Sequence, residues 1–444
     1  MMTGMEITVF RTPGLGDQSY LLAHEGKGVL VDPQRDIDRF LDVAAERDLE
    51  LRYVLETHLH NDYVSGARHA ALRAGAELVL PAAAAAVYPY TPAFHLEDLD
   101  AGGGLGIRPL HTPGHTPEHT SYLVLIDGEP VAVFSGGSLL VASAGRPDLL
   151  GPERARTLAT LQYDSLHRLA ALPRDVGLYP THGEGSFCTT TGAGRHISTI
   201  GAEQDGNPLL ALPTAAALAD ELLAEPMPIP AFYAHVGPAN LLGTPPAPGT
   251  GLPEITVADL TDEVHVLDIR PLAAQAAGFL PGSTGIELGE DFGSWAGWLL
   301  PYGEPTALVA EPGQDVSDAR TQLARIGLDD VRGVIRDLGT AATARFELAD
   351  LPAFLDRLPG AQLLDVRMPG ERRAEPLPGA SERFLPDLLT DGIPAELDPD
   401  RPVLVSCSSG RRAAIAATLL TRHGYEPVVL TGAGAPQVAA ALAA

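Results

Sequence analysis

The chain has 444 residues, which at about 150 residues per domain predicts about three domains. Hydrophobic residues make up 45% of it and charged residues 20%, so it can bury cores and is not disordered throughout. Its 57 acidic and 30 basic residues give a formal charge of −27, which argues against nucleic acid or an anionic membrane surface as a partner. With no apolar run of roughly 18 residues, no secretory signal pattern and two cysteines only, we expect a cytoplasmic protein with reduced thiols.

The first half of the chain alternates short apolar runs with amphipathic stretches. The apolar runs predict five strands, and apolar residues at helical spacing predict three helices. The strands are Gly28–Val31, Arg52–Glu56, Tyr122–Ile126, Val131–Phe134 and Gly177–Tyr179, and the helices are Ile37–Arg47, Val64–Ala74 and Pro152–Ala171. Mixed sheets covered by helices fit this order.

A segment rich in Pro and Gly, Gly237–Pro253, is predicted to be a linker, because this composition breaks helices and strands. Beyond it the sequence repeats with a spacing of 97 residues. LDIR at Leu267–Arg270 matches LDVR at Leu364–Arg367, and two further pairs of short motifs match at the same spacing. The repeat predicts two homologous units, each a parallel sheet wrapped by helices. The predicted domains are therefore residues 1–236, 254–350 and 351–444, with the linker at 237–253.

Histidines follow two of the predicted strands in the first half, and another histidine lies beside a turn. In ETHLHNDY, His58, His60 and Asp62 alternate along an extended segment, so their side chains can face one point. His115 lies beside a Pro-Gly turn in HTPGHTPEH, and His182 follows another strand. Because imidazole and carboxylate are ligands of divalent transition metals, these five residues predict a metal site.

These motifs resemble the metallo-β-lactamase superfamily over about residues 5–200. Within it, TPGHT at Thr112–Thr116 and GRPDL at Gly145–Leu149 resemble the persulfide dioxygenases. The resemblance implies an αββα sandwich and one iron(II) ion, held by His58, His115 and a carboxylate. It also implies that this iron oxidises the persulfide of a low-molecular-weight thiol with O2.

Two positions depart from the pattern of the family. Tyr63 stands where the superfamily has a histidine that binds a second metal, which argues against a two-zinc hydrolase. Gly137 stands where the family's Phe-Thr-Gly-Asp strand supplies the carboxylate ligand. Zinc stays open beside iron, and three arrangements stay open: a site of His58, His60 and His115, a site that recruits Asp62 as third ligand, and a domain without metal.

Cys188 lies six residues after His182 in a glycine-flanked loop, HGEGSFC. The loop either keeps this thiol accessible to substrate sulfur, which would give it a catalytic role, or buries it as a small apolar side chain. Both alternatives stay open, because proximity to His182 is the only argument for a role in catalysis.

The second cysteine begins a loop between an apolar strand and an Ala-rich helix, in VLVSCSSGRRAAIAATLL. Backbone N–H groups of Ser408, Ser409 and Gly410, close to the positive end of the helix, are expected to bind the substrate anion and to stabilise the Cys407 thiolate. Two catalytic arginines, Arg411 and Arg412, are expected to attract anionic sulfur donors. The spacing C-x4-R and the Asp365-x-Arg367 element resemble rhodanese over about residues 360–444. This resemblance implies that Cys407 carries sulfane sulfur as a persulfide.

The offset of 97 residues maps Cys407 onto Ala310 and Arg412 onto Asp315. The unit 254–350 is therefore expected to be an inactive rhodanese-like domain with a spacer or docking role, in which Trp295 and Trp298 pack in the core or against a neighbouring domain. An inactive unit cannot carry a persulfide, since it lacks the nucleophile.

The three domains in this order resemble the fused persulfide dioxygenase–sulfurtransferases of bacterial sulfide detoxification. The resemblance implies a thiol persulfide, thiosulfate, sulfite and O2 as small-molecule partners. Two other functions stay open: a thioester hydrolase similar to glyoxalase II, and a metal-free sulfur carrier or sensor. Tandem domains also leave surfaces on which a homodimer is expected.

Overall fold

The structure is a computed structural model that describes residues 4–183, 185–189, 195–225 and 227–443. It divides into two compact units, one of residues 1–248 with 324–327 and the other of residues 249–323 with 328–444. Within these described ranges, no helix combines the length and the apolar character that crossing a membrane requires.

The first unit begins with a six-stranded sheet whose strands are neighbours in chain order. Its elements are β1 Met5–Thr12, β2 Asp17–His24, β3 Lys27–Val31, α1 Asp38–Glu46, β4 Glu50–Leu55, α2 Ala67–Ala74, β5 Glu77–Pro81 and β6 Thr91–Ala93. Strands β1 to β3 are antiparallel, and β3 to β6 are parallel with α1 and α2 as crossover helices. The polar residues that follow the parallel strands therefore come to one edge of this sheet.

A second six-stranded sheet has the order β14–β13–β10–β9–β8–β7, and β11 and β12 form a separate hairpin. The remaining elements of the unit are β7 Leu99–Gly102, β8 Leu105–His111, β9 Thr120–Ile126, β10 Glu129–Gly136, β11 Leu139–Leu140, β12 Ser143–Ala144, α3 Pro152–Ala170, β13 Gly177–Pro180, β14 Ser198–Thr199, α4 Ile200–Gly206, α5 Ala215–Leu223 and α6 Tyr233–Leu242. The predicted strands and helices of this half are confirmed to within a few residues.

Strand β9 explains how these elements form layers. Its alternate residues Tyr122, Val124 and Ile126 lie in a core shared by both sheets, whereas Leu123 and Leu125 face the helices α3, α4 and α5. On the far side, α1 and α2 cover the outer face of the first sheet. The layers run helix, sheet, sheet, helix, so the αββα sandwich is confirmed.

The second unit contains two mainly parallel sheets, with the orders β16–β15–β17–β18 and β19–β23–β22–β20–β21. Its elements are β15 His265–Asp268, α7 Leu272–Ala277, β16 Thr284–Gly285, α8 Phe292–Leu299, β17 Thr306–Val309, α9 Ser317–Arg325, β18 Val331–Ile335, β19 Glu347–Ala349, α10 Leu351–Arg357, β20 Gln362–Asp365, α11 Pro369–Ala374, β21 Ser381–Glu382, α12 Asp387–Thr390, β22 Val403–Ser406, α13 Arg411–Thr421, β23 Pro427–Leu430 and α14 Ala435–Leu442.

The repeat seen in the sequence is also a repeat of structure. Elements β15, α7, β16 and β17 each begin and end 97 residues before β20, α11, β21 and β22. In both copies the arginine of the Asp-x-Arg element donates hydrogen bonds from two nitrogens to the aspartate carboxylate. The pairs are Arg270 with Asp268 and Arg367 with Asp365. The two copies therefore share strand order and this ion pair, which is fully buried in the second copy.

Two predicted boundaries need correction. Residues 237–242 of the predicted linker belong to helix α6, with Pro238 in its interior. Tertiary contacts stabilise this end of the helix, because the Asn240 side chain donates to the carbonyl oxygens of His60 and Tyr63 at 2.8 Å each. Strand β19 lies before the predicted boundary at 350/351, yet it pairs with β23 of the last sheet.

Candidate metal centre and sulfur-transfer loop

The predicted metal ligands lie together, buried at one edge of the sandwich where its strands end. Strand β4 leads into Glu56, Thr57 and His58, and β13 leads into His182. Strand β10 ends directly before Gly137. The fold thus gathers at one edge groups that are far apart in the sequence, as expected for the ends of adjacent strands.

The ring of His58 is oriented by a hydrogen-bond chain. Its Nδ1 lies 2.9 Å from Thr57 Oγ1, and that hydroxyl donates to Asp32 Oδ2 at 2.7 Å. Because the hydroxyl proton goes to the carboxylate, Thr57 accepts from His58, whose proton is then on Nδ1. The lone pair of His58 Nε2 is left to face the centre of the cluster.

Hydrogen-bond acceptors also fix the position of the ring proton in His115 and His182. Nδ1 of His115 lies 2.8 Å from the Arg146 carbonyl oxygen, to which it can only donate. Nδ1 of His182 lies 2.9 Å from Asp17 Oδ1 and 3.3 Å from Asp62 Oδ2. Both rings therefore carry the proton on Nδ1, and the Nε2 atoms of His182 and His58 are 3.2 Å apart.

His60 faces a different group of side chains. Its Nε2 lies 2.9 Å from the Tyr63 hydroxyl, 3.3 Å from Asp32 Oδ1 and 3.3 Å from Glu56 Oε2. Its Nδ1 has no hydrogen-bond partner and lies 3.9 Å from Asp62 Oδ1, which also has none. Two buried polar atoms without partners are costly in an apolar interior, and a cation bound there would satisfy both. The residues present therefore fit a divalent metal ion.

His182 is central to this cluster. The described residues contain four groups of three metal-binding side chains whose ligand atoms lie within 4.8 Å of one another, and His182 belongs to three of them. The groups are His58, His60 and His182; His115, His182 and Cys188; Asp17, Asp62 and His182; and Asp32, Glu56 and His60.

Burial sets the charge of the cluster. It lowers the pKa of His58, His115 and His182 below the usual value, which keeps these rings neutral. Burial, and after it the neighbouring Asp17 carboxylate, raise the pKa of Asp62 to about 6. Neutral imidazole is the form that binds a metal.

Gly137 leaves no space for a carboxylate at the position that the family resemblance assigns to one. A Cβ on this residue would lie 2.3 Å from Cδ2 and 2.8 Å from Nε2 of His115. The Gly137 N–H donates to His119 Nε2 at 2.9 Å. The ring of His115 therefore fills the volume that a side chain at position 137 would need.

Cys188 is buried, with 1% of its surface exposed. The loop therefore buries the thiol, as in the second of the two predicted alternatives, and does not leave it accessible. Its Sγ lies 3.4 Å from Asp62 Oδ2 and 3.5 Å from the Tyr233 hydroxyl. Burial, together with Asp62 and Asp17, raises the pKa of this thiol well above its usual value. The thiol is thus a neutral neighbour of the histidine cluster.

Cys407 follows β22 and begins the loop that leads into α13. It is buried, and its Sγ accepts a hydrogen bond from the Gly410 N–H at 3.0 Å. Gly410 has a φ of +92°, and a Cβ there would lie 2.8 Å from the Leu430 carbonyl oxygen, so the loop requires glycine at this position. Ser408 and Ser409 are exposed beside it.

Both arginines of the loop are paired with carboxylates, which the sequence did not predict. Arg412 binds Glu371 through two nitrogens at 2.5 and 2.7 Å and also donates to Ser408 Oγ at 2.9 Å. Arg411 binds Asp291 at 2.5 Å. Burial alone would raise the pKa of Glu371, but the hydrogen bonds and charge of Arg412 outweigh it and lower the pKa to about 2.

The first copy of the repeat contributes to the surroundings of this loop. Asp291 precedes helix α8, and the Arg412 guanidinium lies 5.9 Å from the ring centroid of Trp295 on that helix. Trp298 packs edge-on against Phe384, with centroids 5.3 Å apart. The predicted packing role of the two tryptophans is confirmed, and Trp295 in addition contacts a residue of the loop.

A protein described as a probable metallo-hydrolase from Burkholderia pseudomallei (strain 1710b) is 30% identical over 217 residues, which cover 40% of this chain and 72% of the relative. The model of the metallo-beta-lactamase superfamily matches residues 13–182. The chain belongs to this superfamily. A second model, of the rhodanese-like domain, matches residues 350–439. The metallo-β-lactamase fold is thus followed by a rhodanese domain, as predicted.

A hydroxyacylglutathione hydrolase from Methylobacillus flagellatus (strain ATCC 51484 / DSM 6875 / VKM B-1610 / KT) is 32% identical over 164 residues. The match covers 37% of this chain and 60% of that relative. The crystal structure of a metallo-beta-lactamase from Staphylococcus aureus subsp. aureus COL aligns with a TM-score of 0.68 and 28% identity, over 76% of this chain and 100% of that one. This superfamily fold binds divalent metals, and the histidine and aspartate cluster is its candidate site here.

Several residues of the two sites were missed in the sequence. Glu371 lies six residues after Asp365, close enough for the Asp-x-Arg element to have pointed to it. Asp17 is 165 residues from its partner His182, and no local pattern joins them. The GRPDL motif includes Arg146, but the motif did not predict that the Arg146 carbonyl oxygen orients His115.

Proposed function

We propose that the chain is an enzyme of sulfane-sulfur metabolism that transfers sulfur through a persulfide on Cys407. The observation that carries this proposal is the Cys407 loop, in which the Gly410 N–H donates to Sγ at the start of a helix. The loop lies within the part of the chain that matches the rhodanese-like domain. An N–H group directed at sulfur stabilises negative charge there, as a nucleophilic thiolate requires.

The transfer takes place in two steps. The Cys407 thiolate attacks the outer sulfur of a thiol persulfide, a new Sγ–S bond forms, and the donor's S–S bond breaks to release its thiolate, which takes up a proton. Sulfite then attacks the outer sulfur with its lone pair, the Sγ–S bond breaks, and thiosulfate leaves. Cys407 returns to the thiolate, so no external oxidant or reductant is needed.

The second part of the proposal is oxidation of a thiol persulfide at the histidine cluster. His58 and His115 would hold the metal through their Nε2 atoms, with a third ligand from the same cluster. Iron(II) with open positions supplies the O2 chemistry of such sites. The overall reaction consumes one persulfide, one O2 and one water, and yields one thiol, one sulfite and two protons.

The two activities complement each other because sulfite is the product of one and the acceptor of the other. Two persulfides, one O2 and one water would then give two thiols, one thiosulfate and two protons. Joining both sites on one chain raises the effective concentration of sulfite near Cys407.

The second candidate function is thioester hydrolysis by the first unit. The hydroxyacylglutathione hydrolase similarity favours it, as does the free Nδ1 of His60, which with His58 and His115 would make a three-histidine zinc site. Tyr63 and Gly137 count against it, because a two-metal hydrolase needs ligands at both positions.

Sulfur transfer is tested with Cys407→Ser, and Cys188→Ser is the matched control because it removes the other cysteine. We expect the first variant to form no thiosulfate from persulfide and sulfite, and the second to keep the wild-type rate. Wild-type rates in Cys407→Ser would refute the proposal.

Oxidation is tested by O2 uptake of iron-loaded protein given glutathione persulfide. We expect uptake in the wild type and none in His115→Ala. Hydrolysis of a glutathione thioester by zinc-loaded protein, with no O2 uptake by iron-loaded protein, would favour the second candidate.

A further inference from the structure

The two arginines of the Cys407 loop are held in different ways. Arg412 pairs with Glu371 of its own copy through two nitrogens, and its side chain is 13% exposed. Arg411 pairs through one nitrogen with Asp291 of the first copy, and its side chain is 42% exposed. An exposed ion pair with a single contact is weak, because water and dissolved ions compete for both partners. Arg411 can therefore exchange its carboxylate partner for a dissolved anion.

Asp291 is held in the position that this pair requires. Its Oδ2 accepts a hydrogen bond from Trp295 Nε1 at 3.2 Å, which leaves Oδ1 for Arg411 at 2.5 Å. The Arg411 guanidinium lies against Gly289, where a Cβ would be 1.8 Å from Nη2. Gln322 fixes this turn, because its side chain donates to the Gly289 carbonyl oxygen at 2.9 Å. The first copy thus provides both the space and the carboxylate for Arg411.

This arrangement is confined to the first copy of the repeat. The offset of 97 residues places Pro386, Leu388 and Gly392 at the positions of Gly289, Asp291 and Trp295. The first copy has Ala310 in place of Cys407, so it has no thiol of its own for an arginine to serve. Its carboxylate is directed instead at the first residue of helix α13, directly after the Cys407 loop. A spacer role alone does not account for this contact.

A carboxylate and a bound substrate anion would compete for the same guanidinium. The start of α13, where the Cys407 loop is expected to bind an anion, favours negative charge through its backbone N–H groups. Arg411 begins this helix, and the oxygens of a carboxylate and of sulfite accept hydrogen bonds from the same N–H donors. Sulfite bound at the loop can therefore replace Asp291 on Arg411.

We propose that Asp291 selects the sulfur acceptor: it pairs with Arg411 while the loop is empty, and an anionic acceptor such as sulfite displaces it. This inference rests on the proposed sulfur transfer, and Asp291 is a positioning residue that acts through Arg411. Hydrogen cyanide, an acceptor without charge, leaves the pair intact. Its carbon attacks the outer sulfur of the Cys407 persulfide, the Sγ–S bond breaks, thiocyanate leaves, and the proton goes to solvent.

The test compares the two acceptors in the full-length protein with saturating glutathione persulfide, and the rate of Cys407→Ser is subtracted as the uncatalysed reaction. We expect Asp291→Asn to lower KM for sulfite about three- to tenfold and to leave KM for cyanide unchanged. Glu290→Gln, the matched control, removes the same charge from the neighbouring exposed residue and changes neither KM. Arg411→Gln raises KM for sulfite, and Asp291→Asn has no further effect in that background.

An unchanged KM for sulfite in Asp291→Asn would overturn the proposal. The same follows if KM falls equally for cyanide, falls equally in Glu290→Gln, or still falls when Arg411 is already replaced, because each result shows an effect other than competition for Arg411. Circular dichroism confirms that each variant is folded.

If the wild type transfers no sulfur, the proposed function fails, and the competition is tested without turnover. Cys407 is alkylated with iodoacetamide in the presence of inorganic sulfate, and peptide mass spectrometry measures modification of this residue. We expect Asp291→Asn to need about three- to tenfold less sulfate than the wild type for half protection. An equal requirement for sulfate, or no protection of the wild type, overturns the inference.

Discussion

Replacing Glu371 with glutamine tests how much the Glu371 carboxylate, which pairs with Arg412 of the Cys407 loop, stabilises the second unit. The side chain keeps its size, but the bidentate ion pair with Arg412 is lost. The pKa of Glu371 is lowered from 4.5 to about 2, which at 1.36 kcal/mol per pH unit corresponds to about 3 kcal/mol. The Glu371 side chain is 33% exposed, so solvent screening reduces this to about 2 kcal/mol.

The pH dependence follows from the direction of this shift. Because the pKa of Glu371 is lower in the folded protein than in the unfolded chain, the stabilisation is complete above about pH 4.5 and is lost as the pH falls towards 2. At pH 3.5 we expect the difference between wild type and variant to be about three-fifths of its value at pH 7.

The assay is denaturant unfolding followed by tryptophan fluorescence. The chain has two tryptophans, Trp295 and Trp298, and both lie on α8 of the second unit, so the signal reports on that unit alone. Equal stability of Glu371→Gln and wild type at pH 7, or a difference that does not shrink at pH 3.5, would refute the reasoning.

Two further variants test the surroundings of the sites. Asp291→Asn removes the carboxylate paired with Arg411, so we expect KM for sulfite in thiosulfate formation to fall about three- to tenfold, with a smaller effect at high salt; an unchanged KM at low salt would contradict this. Gly137→Ala places a Cβ 2.3 Å from the His115 ring and is expected to lower the free energy of unfolding of the first unit by about 1–3 kcal/mol. Gly206→Ala, where a Cβ meets no atom within 4 Å, is the control, and equal effects of both substitutions would show that crowding is not the cause.

The sequence predicted those features that depend on neighbours in the chain. Apolar runs such as Tyr122–Ile126 predict a strand because residues two apart share a face, and the structure adds only its exact ends. The alternation predicts that His58, His60 and Asp62 face one point; in the structure His58 and His60 belong to one group of possible metal-binding side chains and Asp62 to another, and His182 belongs to both. Alternation could not predict that Nε2 of His60 faces a second cluster, because that depends on Asp32, which a different strand supplies.

Partners that are distant in the sequence explain most of what was missed. The carboxylate partner of Arg411 was not predicted, because Asp291 lies 120 residues before it and belongs to the other copy of the repeat. The linker prediction failed at Pro238 for the same reason: Asn240, two residues on, binds carbonyl groups about 180 residues away. Local propensity is a weak predictor where such contacts decide the conformation.

The position of the His115 ring has a consequence for any redesign of this site. A Cβ at position 137 would lie 2.3 Å from this ring, so an aspartate placed there requires the ring to move. In its present position the ring donates through Nδ1 to the Arg146 carbonyl oxygen. A design that puts a carboxylate at position 137 must therefore also change the surroundings of His115, because the effects of neighbouring substitutions are coupled.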